Sequence, residues 1–576
     1  MKSQRNNNKV SLRCWFVISL FFICMFSLTS RAVYLQLLSS KYSKKGDEAG
    51  VGIVNVSAHR GAIMDRNGEQ LAISTPVESI WTEPRKLLNE KNLQPLANLL
   101  NRSEQELHKF LKDRIRRDFV WLKRQANPIL VDEIKRLGLK GISTQSEYKR
   151  YYPAAEMTSH VVGVTNVDDE GQEGIELAYN KILKGKLGKK RVLKDRFGRI
   201  VRDIENVKSS ESGTDIKLSI DKRIQFLAYR ELGVAVAKHQ AISGNLVMLD
   251  AKTGEVIAMV GQPSFNPNNR SWLKNAARNR SVTDVFEPGS TMKIFTIAAG
   301  LESGIYTPQT IIDTSPGVFK VGNRSISDHR NYGLIDVTTV ITKSSNIGAS
   351  KIALALRPEY FYDVLNRFEF GQTTGSGFPG ERSGLLRSFD TWTEQDIASL
   401  SYGYGLEVTS LKLAHAYSII ANDGIKLPVS FIKTDNSTEG ERVISKKIAR
   451  QIRDMLETVV SSKGTASRAG IKGYRVIGKT GTAHKFNPKG GYFDDRYRSL
   501  FVGIVPASNP RFVTVVTIDE PNKELGHFGG AVAAPVFAKV MEGTLRILNI
   551  SPDNLNNFNT PIIADITETE RLKGYE

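Results

Sequence analysis

The residues Lys-Thr-Gly-Thr at positions 479–482 belong to two overlapping motifs that carry different chemistry. Residues 473–480 read G-x-x-x-x-G-K-T, the pattern of a loop that holds nucleotide phosphates with its backbone N–H groups. Alternatively, residues 479–482 end a β-strand as K-T-G-T, a motif of acyl-transfer enzymes that use no nucleotide. The rest of the sequence has to decide between a nucleotide hydrolase and an acyl-transfer enzyme.

The residues on either side of Lys479 favour the strand. Between the two glycines stand Tyr-Arg-Val-Ile (474–477), whose bulky and β-branched side chains suit an extended backbone. A phosphate-binding loop must also lead into a helix, but residues 481–491 contain glycines and a proline that leave no room for one. The sequence therefore predicts a strand ending in K-T-G-T and disfavours nucleotide binding.

Ser290 and Lys293 form an S-x-x-K motif at the start of a predicted helix. Pro288 and Gly289 indicate a turn, and the apolar residues that follow predict a buried helix up to residue 304. Ser290 then lies in the first helical turn, where free N–H groups and the helix dipole stabilise negative charge. Lys293 lies one turn further on the same face, and burial would lower its pKa. A neutral amine there can accept the serine proton, which makes Ser290 a candidate nucleophile.

Ser344, Ser345 and Asn346 form an S-x-N motif between two predicted helices. Short polar side chains at such a junction can point into a cleft, although a helix-capping role for Ser344 or Asn346 stays open at this point. Each motif recurs elsewhere in the chain, but one S-x-N and one K-T-G follow Ser290, in that order. The combination S-x-x-K, S-x-N and K-T-G is the signature of serine enzymes that react with penicillin.

On these motifs the chain resembles the class B penicillin-binding proteins, the single-pass peptidoglycan transpeptidases of bacteria. The resemblance runs from the N-terminal apolar segment to about residue 540 and includes residues 60–61 and 65–68. Residues 401–414 and 529–537 are more similar to the division-specific type than to the elongation type. The resemblance implies an α/β (α+β) penicillin-binding serine-transpeptidase fold, with an antiparallel sheet flanked by helices.

The resemblance also implies roles for the residues of the first two motifs. Ser290 would attack the carbonyl of D-Ala-D-Ala in a peptidoglycan stem peptide, and Lys293 would act as its base. Ser344 would relay a proton to the leaving amine, and Asn346 would orient the substrate. A neighbouring stem-peptide amine would then resolve the acyl-enzyme, whereas β-lactams would stall at it.

In the third motif, Lys479, Thr480 and Thr482 would bind the terminal carboxylate, and Gly481 belongs to the same substrate-binding strand. This edge strand would pair with the peptide, and the N–H groups of Ser290 and Thr482 would form the oxyanion hole. The reaction requires no metal and no organic cofactor.

Three further functions are compatible with the sequence. A β-lactamase or β-lactam sensor shares the motifs, but the chain lacks the E-x-x-L-N string of class A β-lactamases and carries an additional domain. The second is an elongation-type class B transpeptidase, which carries the same three motifs. The third is a non-catalytic scaffold of the division machinery, in which the motifs would be relics.

The first forty residues predict a membrane anchor. Residues 14–30 carry no charge, four basic residues precede them, and no acidic residue occurs before Asp47. We expect a cytoplasmic segment at 1–13 and a transmembrane helix at 14–38, with the rest outside the cytoplasmic membrane. A cleaved signal peptide is the alternative, but the apolar run exceeds the usual length and no clean cleavage site follows it.

Beyond the anchor the pattern changes near residue 226. Residues 39–225 mix short strands with charged helices and predict a non-catalytic pedestal domain, with strand-turn-strand units at 60–72 and around 195–199. Residues 226–550 predict the transpeptidase domain, with a hairpin at 243–261, strands at 497–507 and 511–521, and a helix at 533–548. Residues 551–576 are polar and predict a loose tail.

Composition limits the possible partners. The chain of 576 residues has a formal net charge of +20 and both of its cysteines, Cys14 and Cys24, in the apolar segment. No zinc-spaced Cys/His set or RNA-binding signature is present, so we expect neither a metal site nor nucleic acid as a partner. The expected partners are stem peptides and their lipid-linked precursor, β-lactams, membrane lipid, a glycan polymerase and other division proteins. The expected location is the inner membrane at the division septum.

Overall fold

The computed structural model describes residues 4–35, 50–194, 200–269, 278–434 and 439–554. The predicted turn at 195–199 lies outside the described residues. So do the ends of the predicted cytoplasmic segment and anchor, at 1–3 and 36–38, and most of the predicted tail, from 555 onward.

The N-terminal segment is a single helix, Gln4–Val33. Its part from Leu12 to Val33 has 22 residues and includes an 18-residue stretch with a mean hydropathy of 1.9 and no buried residue. A helix of this length spans about 33 Å at ~1.5 Å per residue, which matches the ~30 Å hydrocarbon core of a bilayer. The predicted anchor is therefore a helix long and apolar enough to cross a membrane.

The chain forms two compact units, and each is discontinuous in sequence. The first comprises Met1–His59, Pro76–Tyr148 and Gly185–Gly213, and the second comprises Arg60–Thr75, Lys149–Lys184 and Thr214–Glu576. The predicted boundary between residues 225 and 226 would instead divide the chain at a single position, and it stays a prediction.

The first unit contains a three-stranded antiparallel sheet and a small helical layer. The sheet has the order Val51–Val56, Gly188–Lys194, Ile200–Lys208. In the part from Pro76 to Tyr148, the end of the strand Gln70–Thr82 pairs with Val120–Ala126. The helices of this part are Pro84–Leu87, Gln94–Leu99, Glu104–Lys112 and Pro128–Arg136. Their apolar residues, including Leu107 and Ile134, share a core with Ile80.

The second unit is built around a five-stranded antiparallel sheet. Its strand order is Val256–Gln262, Ser243–Asp250, Phe512–Asp519, Tyr492–Val505, Ile477–Phe486. Every residue of Ser243–Asp250 is buried, so this strand is covered on both faces and reads as a nearly continuous apolar run. The predicted hairpin at 243–261 and the two predicted C-terminal strands are confirmed.

Helices cover this sheet. Lys222–Lys238 and Ala534–Ile547 pack on the sheet and on each other, and the second of them confirms the predicted C-terminal helix. Ser410–Ala421 packs on the central strands and is buried at all of its 12 positions, so protein surrounds it on every side. The predicted antiparallel sheet flanked by helices is confirmed.

The shorter elements of the second unit connect these layers. Ile63–Met64 pairs with Gln70–Thr82, which confirms the strand-turn-strand prediction at 60–72, and runs parallel to Ile216–Lys217. Three further strand pairs are Ile311–Asp313 with Leu334–Asp336, Val318–Val321 with Arg324–Ser327, and Ile425–Lys426 with Glu441–Arg442. The further helices described in this unit are Ser159–Val162, Gly174–Ala178, Asn180–Leu183, Arg280–Thr283, Lys293–Glu302, Val337–Lys343, Asn346–Leu354, Pro358–Arg367, Glu394–Ser401, Lys446–Val460 and Gly529–Val532.

A buried ionic cluster joins distant segments within the second unit. The Glu176 carboxylate lies 2.7 Å from the Arg60 guanidinium and 2.6 Å from that of Arg150, and all three side chains are at most 1% exposed. Arg60 also donates to the side-chain oxygen of Asn180 at 2.8 Å. Buried charges must be paired in this way, and the cluster therefore fixes the segment that contains Arg60 to the segment that contains Arg150 and Glu176.

Candidate active site

Ser290 lies in a short 3₁₀ turn, Gly289–Met292, which continues into the helix Lys293–Glu302. The first nine residues of that helix are buried, as the apolar sequence predicts, whereas Ser290 is partly exposed. The hydroxyl can therefore reach a ligand from a backbone that is held by the core.

Aromatic packing and a hydrogen bond hold this backbone. The Phe295 ring packs edge-on against Phe368 and Phe370, with centroid distances of 4.9 Å, and against Tyr417 at 5.5 Å. The Tyr417 hydroxyl donates to the carbonyl oxygen of Thr291 at 2.7 Å. The residue next to Ser290 is thus tied to the fully buried helix Ser410–Ala421.

The Lys293 amine lies at the centre of the site. Its Nζ is 3.0 Å from Ser290 Oγ and 3.1 Å from Ser344 Oγ. It is 2.5 Å from the Ser344 carbonyl oxygen and 2.7 Å from Asn346 Oδ1, both of which accept from it. The structure thus brings together the four residues that the sequence assigns to catalysis.

The S-x-N segment is a tight junction between two helices. Ser344 ends the helix Val337–Lys343 in the left-handed conformation, with φ 59°, which costs a residue other than glycine roughly 1–3 kcal/mol. Ser345 caps the next helix, since its Oγ accepts from the Gly348 N–H at 2.9 Å. The capping side chain is therefore that of Ser345, while Ser344 and Asn346 contact Lys293 instead.

Lys479 places a second amine beside the Ser344 hydroxyl. Its side chain is fully buried, and its Nζ lies 2.9 Å from Ser344 Oγ and 3.2 Å from the Thr480 carbonyl oxygen. The Ser344 hydroxyl oxygen therefore lies within hydrogen-bonding distance of both Lys293 and Lys479.

Burial dominates the electrostatics of both lysines. It lowers the pKa of Lys479 to about 7. The pKa of Lys293 falls well below its ordinary value, first through burial and second through the nearby positive charge of Lys479, while Asp328 acts in the opposite direction. The predicted lowering of the Lys293 pKa is confirmed in direction, and this lowering favours the neutral amine.

The K-T-G-T residues lie on the edge strand of the five-stranded sheet, Ile477–Phe486. The strand prediction is confirmed, but the strand continues four residues beyond Thr482 because it pairs with Tyr492–Val505. The Thr480 hydroxyl lies 2.8 Å from that of Thr465, and Thr482 Oγ1 accepts from the Gly529 N–H at 3.1 Å.

Glycines let this strand and the Ser290 turn approach their neighbours closely. A Cβ on Gly481 would lie 3.1 Å from the Pro288 carbonyl oxygen, and one on Gly529 would lie 2.5 Å from the Gly481 carbonyl oxygen. A Cβ on Gly403 would lie 2.1 Å from the carbonyl oxygen of Gly289. Gly481 therefore serves the packing of the strand against the nucleophile turn, a role that its motif does not reveal.

Two acidic residues near the site were missed in the sequence. The Asp328 carboxylate accepts from the Ser345 hydroxyl and from the Asn346 N–H, both at 2.5 Å. Glu287 accepts from the Gly405 N–H at 2.8 Å and from the Tyr492 hydroxyl at 3.0 Å, and burial raises its pKa. Neither belongs to a recognised motif, although Glu287 precedes the nucleophile turn directly.

The polar groups that meet at the Lys293 amine are hydroxyl, carbonyl and amide oxygens. The described residues contain no group of three or more His, Cys, Asp or Glu side chains that could hold a metal ion.

Two family models match the sequence. The "Penicillin binding protein transpeptidase domain" matches residues 244–542, and the "Penicillin-binding Protein dimerisation domain" matches residues 55–218. The first range contains all eight predicted site residues.

Named relatives are similar along almost the whole chain. The peptidoglycan D,D-transpeptidase FtsI of Escherichia coli K12 is 41% identical over 562 residues, covering 96% of this chain and 95% of the relative. The probable peptidoglycan D,D-transpeptidase PbpC of Pseudomonas aeruginosa is 40% identical over 568 residues, covering 98% and 99%, respectively.

Solved structures share the fold. The apo transpeptidase domain of Burkholderia pseudomallei penicillin-binding protein 3 is 43% identical, with a TM-score of 0.54, over 58% of this chain and 97% of that one. Penicillin-binding protein 3 of Mycobacterium tuberculosis in complex with aztreonam is 29% identical, with a TM-score of 0.67, over 87% and 98%. With its three motifs converging on one site, the chain belongs to the penicillin-binding protein family, with a transpeptidase domain and a dimerisation domain.

Proposed function

We propose that this protein is a peptidoglycan D,D-transpeptidase that cross-links stem peptides through an acyl-enzyme on Ser290. In the first step, Ser290 Oγ attacks the carbonyl carbon of the penultimate D-Ala, the peptide bond breaks, and the terminal D-Ala leaves with a proton. In the second step, the amine of a neighbouring stem peptide attacks the ester, forms the cross-link and returns the proton to Ser290.

The contacts of Lys293 support its role as the base. A neutral amine has two N–H donors and one lone pair. The two closest neighbours, the Ser344 carbonyl oxygen at 2.5 Å and Asn346 Oδ1 at 2.7 Å, can only accept and therefore take the two donors. The lone pair is left for a hydroxyl donor, and Ser290 Oγ lies 3.0 Å away. Burial lowers the pKa of this amine and favours its neutral form, and the contacts orient the same amine to accept the serine proton.

Ser344 connects this base to the side of the leaving group. Its hydroxyl oxygen lies 3.1 Å from Lys293 Nζ and 2.9 Å from Lys479 Nζ. A proton taken up by Lys293 can pass to the Ser344 oxygen while the Ser344 proton passes to the departing amine. Each protein atom in this exchange lies within hydrogen-bonding distance of the next.

The edge strand is suited to hold the peptide. An unpaired strand edge offers backbone N–H and C=O groups to an extended ligand. Lys479, in its ammonium form, and the hydroxyls of Thr480 and Thr482 would bind the terminal carboxylate. The N–H groups of Ser290 and Thr482 would stabilise the oxyanion, an interaction whose loss typically costs ~100-fold or more in rate.

A β-lactam would acylate the same serine. Mycobacterium tuberculosis penicillin-binding protein 3 has been solved in complex with aztreonam and with ampicillin, and it is 29% identical to this chain. We expect a long-lived ester here as well, because the sequence carries no motif for an efficient hydrolytic water.

The observation that carries this proposal is the linked set of short distances from Ser290 through Lys293 and Ser344 to Lys479. Its test is mass spectrometry of the detergent-solubilised full chain after treatment with benzylpenicillin. We expect one penicilloyl adduct, on the peptide containing Ser290, that persists for many minutes. The Ser290→Ala variant and heat-denatured wild type serve as controls and should remain unmodified.

The competing functions give different results in the same experiment. Rapid turnover of the penicillin with no persistent adduct would indicate a β-lactamase, and modification at another residue would overturn the proposal. If Ser290→Ala supported growth in a strain depleted of the wild-type protein, the protein would act as a scaffold instead.

We further propose a location and an orientation. Basic residues before the apolar helix favour a cytoplasmic N-terminus, which places the site outside the inner membrane. The similarity to FtsI supports work at the division septum, with a glycan polymerase, other division proteins and membrane lipid as partners.

Cysteine labelling tests the orientation. In a Cys14→Ser, Cys24→Ser background, the exposed Asn509 is replaced by cysteine. A maleimide that cannot cross the inner membrane should label this position in cells whose outer membrane has been made permeable. Labelling only after lysis would reverse the assigned orientation. A fluorescent fusion that stays along the lateral wall in dividing cells would contradict the septal role.

A further inference from the structure

Glu287 directly precedes the turn that carries Ser290, and one of its two carboxylate oxygens is open. Oε1 accepts from the Gly405 N–H at 2.8 Å and from the Tyr492 hydroxyl at 3.0 Å. Among the described residues no group donates to Oε2, and this atom is accessible to solvent. The carboxylate is therefore held in one orientation, with its second oxygen available to a ligand.

The charge of Glu287 has no counterion within the described parts of the chain. Burial raises its pKa, and the neighbouring carboxylate of Glu407 acts in the same direction, while the hydrogen bonds from Gly405 and Tyr492 act in the opposite one. A partly buried carboxylate without a cation is costly, and groups perturbed in this way cluster at functional sites. The environment of Glu287 therefore favours a cationic ligand.

Two tyrosines lie beside this carboxylate. The rings of Tyr404 and Tyr492 meet edge to face at a centroid distance of 5.4 Å. Burial, and next the charge of Glu287, raise the pKa of Tyr492, so its phenol stays protonated and can donate. The faces of tyrosine rings attract ammonium groups, most strongly where water is excluded. The carboxylate and the two rings together suit an organic ammonium.

Backbone contacts fix this carboxylate relative to Ser290. The Gly289 N–H donates to the Gly403 carbonyl oxygen at 3.1 Å, and the Gly405 N–H donates to Glu287, so one short loop holds both the nucleophile turn and the carboxylate. Three residues span at most about 11 Å, which limits the distance between the backbones of Glu287 and Ser290. A peptide bound at Ser290 can therefore reach Glu287 with the side chain of a neighbouring residue.

Tyr404 connects the carboxylate to the edge strand. Its hydroxyl accepts from the N–H of His484 at 3.4 Å, two residues beyond Thr482 on the strand. If Lys479 and Thr482 hold the terminal carboxylate of the donor peptide, the residues that precede D-Ala-D-Ala continue along the strand toward Tyr404. The side chain that reaches Glu287 then belongs to the donor.

We propose that Glu287, with Tyr404 and Tyr492, forms a subsite that binds the side-chain ammonium of the donor stem peptide. This inference rests on the proposed function and adds a specificity-determining residue to it. Donor and acceptor are the same kind of peptide, so each brings an amine. A carboxylate stabilises the ammonium form, which has no lone pair to attack an ester. The subsite therefore suits the amine of the donor, which does not react.

The test compares two synthetic donor peptides on the detergent-solubilised full chain. Acetyl-L-lysyl-D-Ala-D-Ala carries the ammonium, and acetyl-L-norleucyl-D-Ala-D-Ala has nearly the same shape without it. Each peptide competes with a fluorescent penicillin for Ser290, and the readout is the ratio of the two concentrations that halve the acylation rate. We expect wild type to favour the lysine peptide by roughly tenfold or more, and Glu287→Gln to bind both peptides alike.

Two further variants separate direct contact from the general field. Glu407→Gln removes a nearby negative charge but keeps the Glu287 carboxylate, so it should retain the preference. Tyr492→Phe keeps the ring and removes the hydroxyl that orients Glu287, so it should reduce the preference. Because the readout is a ratio, a change in overall reactivity cancels, and thermal unfolding verifies that each variant is folded. Equal loss in Glu287→Gln and Glu407→Gln would overturn the subsite.

The remaining outcomes decide between the claims. Wild type that is acylated at Ser290 but shows no preference, whether both peptides compete or neither does, overturns the subsite and leaves the proposed function standing. A preference that survives in Glu287→Gln also overturns it. If that variant instead transferred its acyl group less well to an added stem-peptide amine, the carboxylate would serve the acceptor. A wild-type protein that is not acylated at Ser290 overturns the proposed function itself.

Discussion

At the scale of single residues, the Ser344 hydroxyl has an uncommon environment. Its oxygen lies within 3.1 Å of two buried amines, and two adjacent ammonium groups would repel each other. Burial and this repulsion lower the pKa of Lys293, and burial lowers that of Lys479, so both effects favour a neutral form for at least one of the two amines. The site can thus use two lysines in different roles. The neutral one acts as the base, and the charged one binds a carboxylate.

This arrangement predicts a bell-shaped pH profile for acylation by benzylpenicillin. A lysine is cationic below its pKa, and burial lowers the pKa of Lys479 to about 7. We therefore expect the rate to fall above about pH 7, as the ammonium that binds the ligand carboxylate is lost, and to fall in acid as Lys293 becomes protonated. Since the two amines interact, the two midpoints belong to the pair.

The Lys479→Ala variant identifies the alkaline side of the profile. Losing a charged hydrogen bond should lower the acylation rate at pH 7 by roughly tenfold or more. The remaining activity should no longer fall above pH 7. Persistence of the alkaline decline in this variant would assign it to another group.

The sequence predicts the residues of the three motifs because their spacing reflects local structure. Ser290 and Lys293 are one helical turn apart, and Lys479 precedes the Gly481 that a close-packed strand requires. Asp328 was missed because its partners lie 17 to 19 residues away in sequence, across a hairpin whose register no short motif encodes.

At the scale of elements, the nucleophile turn is held by direct contact between backbones. The Gly289 N–H donates to the Gly403 carbonyl oxygen at 3.1 Å. Gly403 has φ +91°, and a Cβ there would lie 2.1 Å from the Gly289 carbonyl oxygen. A side chain at position 403 cannot be accommodated unless the turn that carries Ser290 moves.

We therefore expect Gly403→Ala to lower the penicillin acylation rate by roughly 100-fold, because a displaced nucleophile loses its alignment. Gly405→Ala is the matched control. Position 405 has a similar φ of +81°, but its Cβ would meet nothing closer than 4.0 Å. If both variants lost activity equally, the left-handed conformation and not the backbone contact would be responsible.

The sequence predicts most of the sheet at this scale and less of its edges. The apolar strands at 243–261 and 497–521 are found because burial on both faces makes them nearly continuous hydrophobic runs. The end of the edge strand was predicted four residues early, because its continuation to Phe486 depends on cross-strand pairing. Tertiary pairing of this kind leaves little local pattern.

At the scale of the whole molecule, the second unit draws on three separate segments of the chain. The ionic cluster of Arg60, Arg150 and Glu176 joins two of them, 60–75 and 149–184. The sequence shows a change of pattern near residue 226, but it cannot show that earlier segments fold with later ones. That information lies in contacts between residues more than a hundred positions apart.

Breaking this cluster should destabilise the second unit. Glu176→Gln would leave two buried guanidinium groups without their carboxylate, a change that costs roughly 3–5 kcal/mol when a buried pair is broken. Differential scanning fluorimetry of the full chain in detergent should show a clear fall in Tm. Glu542→Gln, which removes an exposed partner of Arg546, should leave the Tm nearly unchanged. Equal Tm values for both variants would contradict a structural role of the cluster.

The glycines around the nucleophile have a consequence for drug resistance. At Gly403, Gly481 and Gly529 the main chain packs so closely that an added Cβ would lie 2.1 to 3.1 Å from a backbone oxygen, and Gly289 has a positive φ of 54°. Under antibiotic selection these four positions should remain unchanged, because any replacement disturbs the natural reaction as much as the inhibitor. Tolerated substitutions should instead accumulate at solvent-facing side chains along the cleft, where substrate and drug can be distinguished.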